Sequence, residues 1–112
     1  MIDYKKLCEG QEFYSAEYII SAFEAPKDSL DGCQLIYALY ETGSWEGSAE
    51  VLYKKDDLFY YVSGSHCSCN GLEGQWEPEE VSREWVITTF DPDKKNLSDT
   101  ERTRNSLARQ AL

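Results

Sequence analysis

Three side chains able to bind a metal or attack a substrate stand close together in the segment Gly64–Glu80, GSHCSCNGLEGQWEPEE. They are His66, the single histidine of the chain, with Cys67 and Cys69. Imidazole and thiolate both suit zinc, so the segment offers up to three ligands of a tetrahedral structural site. Cys33 or Cys8 could supply the fourth, giving a zinc-stabilised module built on His66, Cys67, Cys69 and Cys33. The spacing weakens this reading. Zinc sites more often use Cys-x2-Cys, adjacent residues such as His66 and Cys67 do not readily reach one ion, and no second Cys-x2-Cys pair follows.

A cysteine-dependent enzyme would need Cys67 as nucleophile and His66 as its base. Sequence neighbours on an extended loop point apart, whereas nucleophile and base must lie within hydrogen-bond reach. Glu73, Glu77, Glu79 and Glu80 add carboxylates without a spacing that marks an acid–base pair. The GLEG run lacks the lysine and the length of a phosphate-binding loop. The expectation is therefore a protein with no catalytic residue and no cofactor, zinc being the alternative. The loop then serves as a joint. Gly64 and Gly71 would adopt backbone angles closed to other residues. Asn70-Gly71 offers a turn, and Trp76 a plug between a helix and a sheet.

The elements on either side must position that joint. Ser15 can cap a helix whose Ala16, Ile19, Ile20 and Phe23 form an apolar stripe, stopped by Pro26 and the polar KDSLDG. A strand through EFYSAEYII competes with it, and a short helix over residues 4–9 would precede it. Cys33–Glu41, Ser48–Lys54 and Leu58–Ser63 read as three strands joined by TGSWEG and by the Asp56-Asp57 turn. Alternation sends Leu35, Tyr37 and Leu39 to one face and Ile36, Ala38 and Tyr40 to the other, with helices over one face and the other partly exposed. Pro78, Glu79 and Glu80 suit a helix start, placing Val81, Trp85 and Thr88 on one helical face. Ser98 and Glu101 form a capping-box pattern for a last, weakly amphipathic helix that is frayed or ordered by a partner. The expected architecture is α+β: a three-stranded antiparallel meander packed with N-terminal and C-terminal helices. Residues 1–92 form one domain, and 93–112 a C-terminal helical tail docked on it.

Charge narrows the partners. The chain carries a formal charge of −10, and residues 1–90 hold 17 acids against 6 bases, while residues 91–112 hold 4 against 5. So acidic a body repels phosphate, which disfavours nucleic acid and anionic membrane, and favours a protein with a basic surface. Imitation of DNA charge is one form such binding takes. MIDYKKLCEG has no apolar run after its charges and no segment is long enough to span a bilayer, so a cytoplasmic location with reduced cysteines is expected. Most of the aromatic residues belong to core and sheet packing. Trp45 and Glu46 in the first turn, with Tyr60, Tyr61 and Trp76, are the expected partner contacts, since large aromatic side chains anchor protein interfaces.

The run Trp45–Val81, WEGSAEVLYKKDDLFYYVSGSHCSCNGLEGQWEPEEV, resembles a group of small uncharacterised bacteriophage-encoded proteins. These share a glycine-x-histidine-cysteine-serine-cysteine segment followed by leucine-glutamate, glutamine-tryptophan and proline-glutamate. The resemblance covers about a third of the chain and carries over no catalytic or binding residue. What it implies is a setting: a phage product in the cytoplasm of an infected bacterium, binding and modulating a host protein, a defence system among the candidate targets.

Overall fold

The computed structural model describes residues 14–42, 47–66 and 71–112, apart from the side chains of 41, 42 and 66. Helix α1 (Ala16–Phe23) starts at the expected cap, where the Ser15 hydroxyl accepts a hydrogen bond from the Tyr18 N–H at 3.2 Å. Ile19, Ile20 and Phe23 bury its apolar stripe. The helix stops before Pro26. Glu24 takes a left-handed φ of 53°, and the Glu24 and Ala25 N–H groups turn back to the carbonyls of Ser21 and Ile20.

Strands β1 (Gln34–Thr42), β2 (Gly47–Lys55) and β3 (Leu58–His66) form the expected meander. A fourth strand, β4 (Glu79–Val81), joins them, and the antiparallel sheet runs β1-β2-β3-β4. The sequence reading assigned those three residues to the start of a helix. They pair instead with Phe59, Tyr60 and Tyr61 of β3, whose edge backbone groups otherwise lack a sheet partner there. Helix α2 (Arg83–Thr89) begins only after Ser82, whose hydroxyl accepts from the Trp85 N–H at 3.0 Å and outcompetes Pro78 as the start signal.

Two backbone details shape the sheet. Asp56 and Asp57 both adopt positive φ, 52° and 65°, the pair of left-handed residues that lets a two-residue hairpin match strand twist. In β1 the register slips between Leu35 and Tyr37. Residues 37–40 alternate as expected, whereas Leu35 and Ile36 before the bulge lie on the faces opposite to those expected. Leu35 joins Ala38 and Tyr40 on the α1 side, and Ile36 joins Tyr37 and Leu39 on the other.

Both faces of the sheet are covered. Helix α1, Leu72 and Trp76 close one side over Ala49, Val51 and Val62. Helices α2 and α3 (Asp99–Gln110) close the other over Tyr37, Leu52 and Phe59. The expected partly exposed face is thus filled, because α3 lies against β1 and buries Asn105, Leu107 and Ala108. Its capping box is complete: the Ser98 hydroxyl accepts from Glu101 N–H and Glu101 Oε1 from Ser98 N–H, each at 3.1 Å. Among the described residues no helix is long and apolar enough to cross a membrane.

The glycines of the joint work differently from expectation. Left-handed φ occurs at Gly74 (79°) and Gly32 (73°), not at Gly64 or Gly71. Gly64 is required for room: a Cβ there would stand 2.9 Å from Phe23 Cε1 and 3.2 Å from a Leu72 methyl.

Candidate functional site

Alternation along β3 divides the predicted contact residues between two surfaces. Tyr60 faces the α1 side, where its ring stacks on Tyr53 at 5.2 Å. Tyr53 stacks in turn on Trp76 at 6.3 Å, and Trp76 meets Phe23 edge-on at 5.3 Å. Tyr60 and Trp76 therefore belong to one ladder of rings, joined through the buried Tyr53. Offset and edge-on contacts of this kind hold rings in place more firmly than area burial alone. Glu80 of β4 stands directly across from Tyr60.

Tyr61 faces the opposite side and cannot share that surface. Its partner across β4 is Glu79, and its ring lies 5.3 Å from Trp85 of α2, which meets Phe90 edge-on at 5.6 Å. Tyr61, Trp85, Ser63, Gln75, Glu77 and Glu79 line an open cleft of about 360 Å³ between the sheet edge and α2. Glu77 and Glu79 are exposed. Among the described residues the ion pairs are Lys54–Asp57, Arg102–Asp99, Arg104–Glu50 and Arg109–Asp91, and neither cleft carboxylate takes part in one.

A partly buried polar cluster adjoins this cleft through Tyr61. Glu50 on β2 sits diagonally between Tyr37 on β1 and Tyr61 on β3, both of which stand across from Leu52. The Tyr37 hydroxyl donates to Glu50 Oε1 at 2.9 Å and the Tyr61 hydroxyl to Oε2 at 3.1 Å. Arg104 reaches down from α3 to Oε1 at 3.0 Å, with its guanidinium 5.5 Å from the centre of the Phe90 ring. Arg104 Nε also donates to Asn105 Oδ1 at 3.0 Å, and the Asn105 amide donates to the Asp91 carbonyl at 2.9 Å. Burial, reinforced by the Glu50 charge, pushes both phenols well above the ordinary tyrosine value. They stay protonated donors at neutral pH and are not phenolate nucleophiles. The cluster fastens α3 to the sheet.

The sulfur and imidazole groups are only partly within view. Cys8, Trp45, Glu46, Cys67, Cys69 and the side chain of His66 lie outside the described residues. The backbone still places His66 and Cys33. His66 pairs with Gly47 at one end of β2, while Gln34, next to Cys33, pairs with Lys54 at the other. Seven strand steps separate those positions, roughly 23 Å. Cys33 and His66 thus lie at opposite ends of the sheet. Burial raises the Cys33 thiol above its ordinary value and outweighs the opposing charge of Lys55, and its Sγ points to the Asp31 carbonyl at 3.7 Å, so the thiol form is favoured. Among the described residues no group of three histidine, cysteine or acidic side chains converges as a metal site would require.

The residues that sequence reasoning missed are Trp85 and Glu79 as cleft walls, Glu50 and Arg104 as a pair, and Gln75. The first escaped notice because Glu79, Glu80 and Val81 are too short a run to show a strand pattern and suit a helix start as well. The pair is separated by 54 residues and left no local trace. No protein-family model, curated protein or solved structure matches the chain.

Proposed function

We propose that this chain is a small non-enzymatic phage protein that binds a host protein with a basic surface and modulates it in the cytoplasm of the infected bacterium. A defence complex is one such target. The observation that carries the reading is the acidic, aromatic β3–β4 edge. Glu79 and Glu80 stand across from Tyr61 and Tyr60, and Trp85 and Trp76 flank them on the two sides of the sheet. Rings held by their neighbours present contact area at little entropic cost, and exposed carboxylates steer a basic partner toward them. The likeness of residues 45–81 to phage-encoded proteins supports the setting.

The test is retention of host proteins on the tagged full chain, followed by affinity measurements with the purified partner across a salt series. The expected partner is basic, with affinity that falls steeply as salt rises and is competed by DNA where charge imitation operates. Salt-insensitive binding to a neutral surface would reject the proposal. The reading needs no metal. One zinc per chain in native mass spectrometry, lost with the fold on chelation, would reassign the His66–Cys69 loop.

A further inference from the structure

We infer that the cleft walled by Tyr61, Trp85, Glu77 and Glu79 is a receptor for a single arginine side chain presented by the protein partner. The inference rests on the binding role proposed above and names the group that the partner must offer. Three features converge in the cleft. Two aromatic rings, 5.3 Å apart and tilted by 55°, line it, and rings of this kind attract a cation placed over a face. Two exposed carboxylates two residues apart, Glu77 and Glu79, stand at its mouth and take part in no ion pair among the described residues. Strand pairing fixes Glu79 directly across from Tyr61, so charge and ring are held in register by backbone and not by chance contact.

The molecule shows what this combination accepts. On the inner side of the same aromatic group, the Arg104 guanidinium lies 5.5 Å from the Phe90 ring and 3.0 Å from the Glu50 carboxylate, which Tyr61 also binds. The outer cleft repeats that set of partners, rings and carboxylate, with no cation among its described lining residues. Arginine fits better than lysine. Its planar fork can engage both carboxylates while its face lies on Trp85, and its weaker hydration lowers the cost of entering an aromatic site.

The test is a titration of the full chain, followed by ¹H–¹⁵N NMR, with acetyl-Gly-Arg-Gly-amide and with the same peptide carrying citrulline, the uncharged analogue. The expected result is a shift of the Trp85 indole N–H and of the backbone amides of residues 74–77 and 79, with the arginine peptide binding about tenfold or more tightly than the citrulline one. In the double variant Glu77→Gln, Glu79→Gln the preference should vanish. Both positions are exposed, so the fold is kept and its unchanged spectrum elsewhere is the control. Equal binding of citrulline, unchanged binding by the double variant, or shifts scattered over all exposed carboxylates would overturn the assignment. A captured partner that binds the double variant with full affinity would leave the binding role standing and remove the cleft from it. Specific arginine binding without any basic protein partner would do the reverse.

Discussion

The side-chain amide of Gln75 pairs with both backbone groups of Ser65: Oε1 accepts from the Ser65 N–H at 2.9 Å, and Nε2 donates to the Ser65 carbonyl at 2.7 Å. Nε2 also donates to the Gly71 carbonyl at 2.9 Å. One amide thereby continues the ladder along β3 beyond the reach of β4, which pairs only with residues 59–61. Gln75→Ala should lower stability by about 1–2 kcal/mol, and Gln75→Glu by more, because a carboxylate would then face two carbonyl oxygens. Urea unfolding should show a lower midpoint at unchanged slope. Equal stability of Gln75→Glu and the parent protein would refute this role.

Arg104 holds α3 to the sheet through Glu50. Both side chains are about one-fifth exposed, at 18% and 21%, so solvent screens the pair in part. Removing one partner leaves the other charge mostly buried and should cost about 2 kcal/mol, less than for a fully buried pair because of that screening. A double-mutant cycle with Arg104→Met and Glu50→Gln should show that the joint change costs less than the sum of the single ones. Additive losses would mean that the two side chains act independently.

Alkaline pH should unfold the protein earlier than its carboxylates or lysines predict. Tyr37 and Tyr61 have folded-state values raised above the ordinary phenol value, so the native state keeps protons that the unfolded chain releases. Stability is then fully present below about pH 10 and lost as pH rises past it. The Tyr37→Phe and Tyr61→Phe variants should each start less stable by about 1 kcal/mol and show a shallower alkaline decline. A decline of the same slope in both variants would point to other groups.

The Asp56-Asp57 turn is a place to gain stability. Both residues hold positive φ, which favours asparagine and glycine, and their like charges adjoin. Asp56→Asn with Asp57→Gly should stabilise by about 0.5–1 kcal/mol, less whatever the exposed Lys54–Asp57 contact at 3.9 Å contributes. Thermal unfolding of the double variant checks the sign.

Local signals made much of this fold legible. Ser15 and Ser98 announced their helices because capping uses residues within three positions of the cap. The three long strands were visible in β-rich runs broken by polar turns. Strand β4 was hidden because three residues carry too little pattern, and two glutamates before an apolar residue suit a helix start equally well. The bulge between Leu35 and Tyr37 has no marker in a run where every side chain is apolar, so the assignment of faces before it failed. Glu50 reads as an ordinary outward-facing strand residue until Arg104 is brought over it. The division of Tyr60 from Tyr61 followed from strand alternation alone and could have been drawn from the sequence.

Each strand of the sheet is bonded to its sequence neighbour, with no crossover. That order has a kinetic consequence. Pairings between consecutive strands close short loops, so the meander can assemble one hairpin at a time and should fold quickly for a protein rich in sheet. The surface that α3 covers exists only once β1 and β2 have paired, which places the helix late in the sequence of events. Leu107→Ala should accordingly hasten unfolding and leave the folding rate nearly unchanged, whereas Val51→Ala in the central hairpin should slow folding.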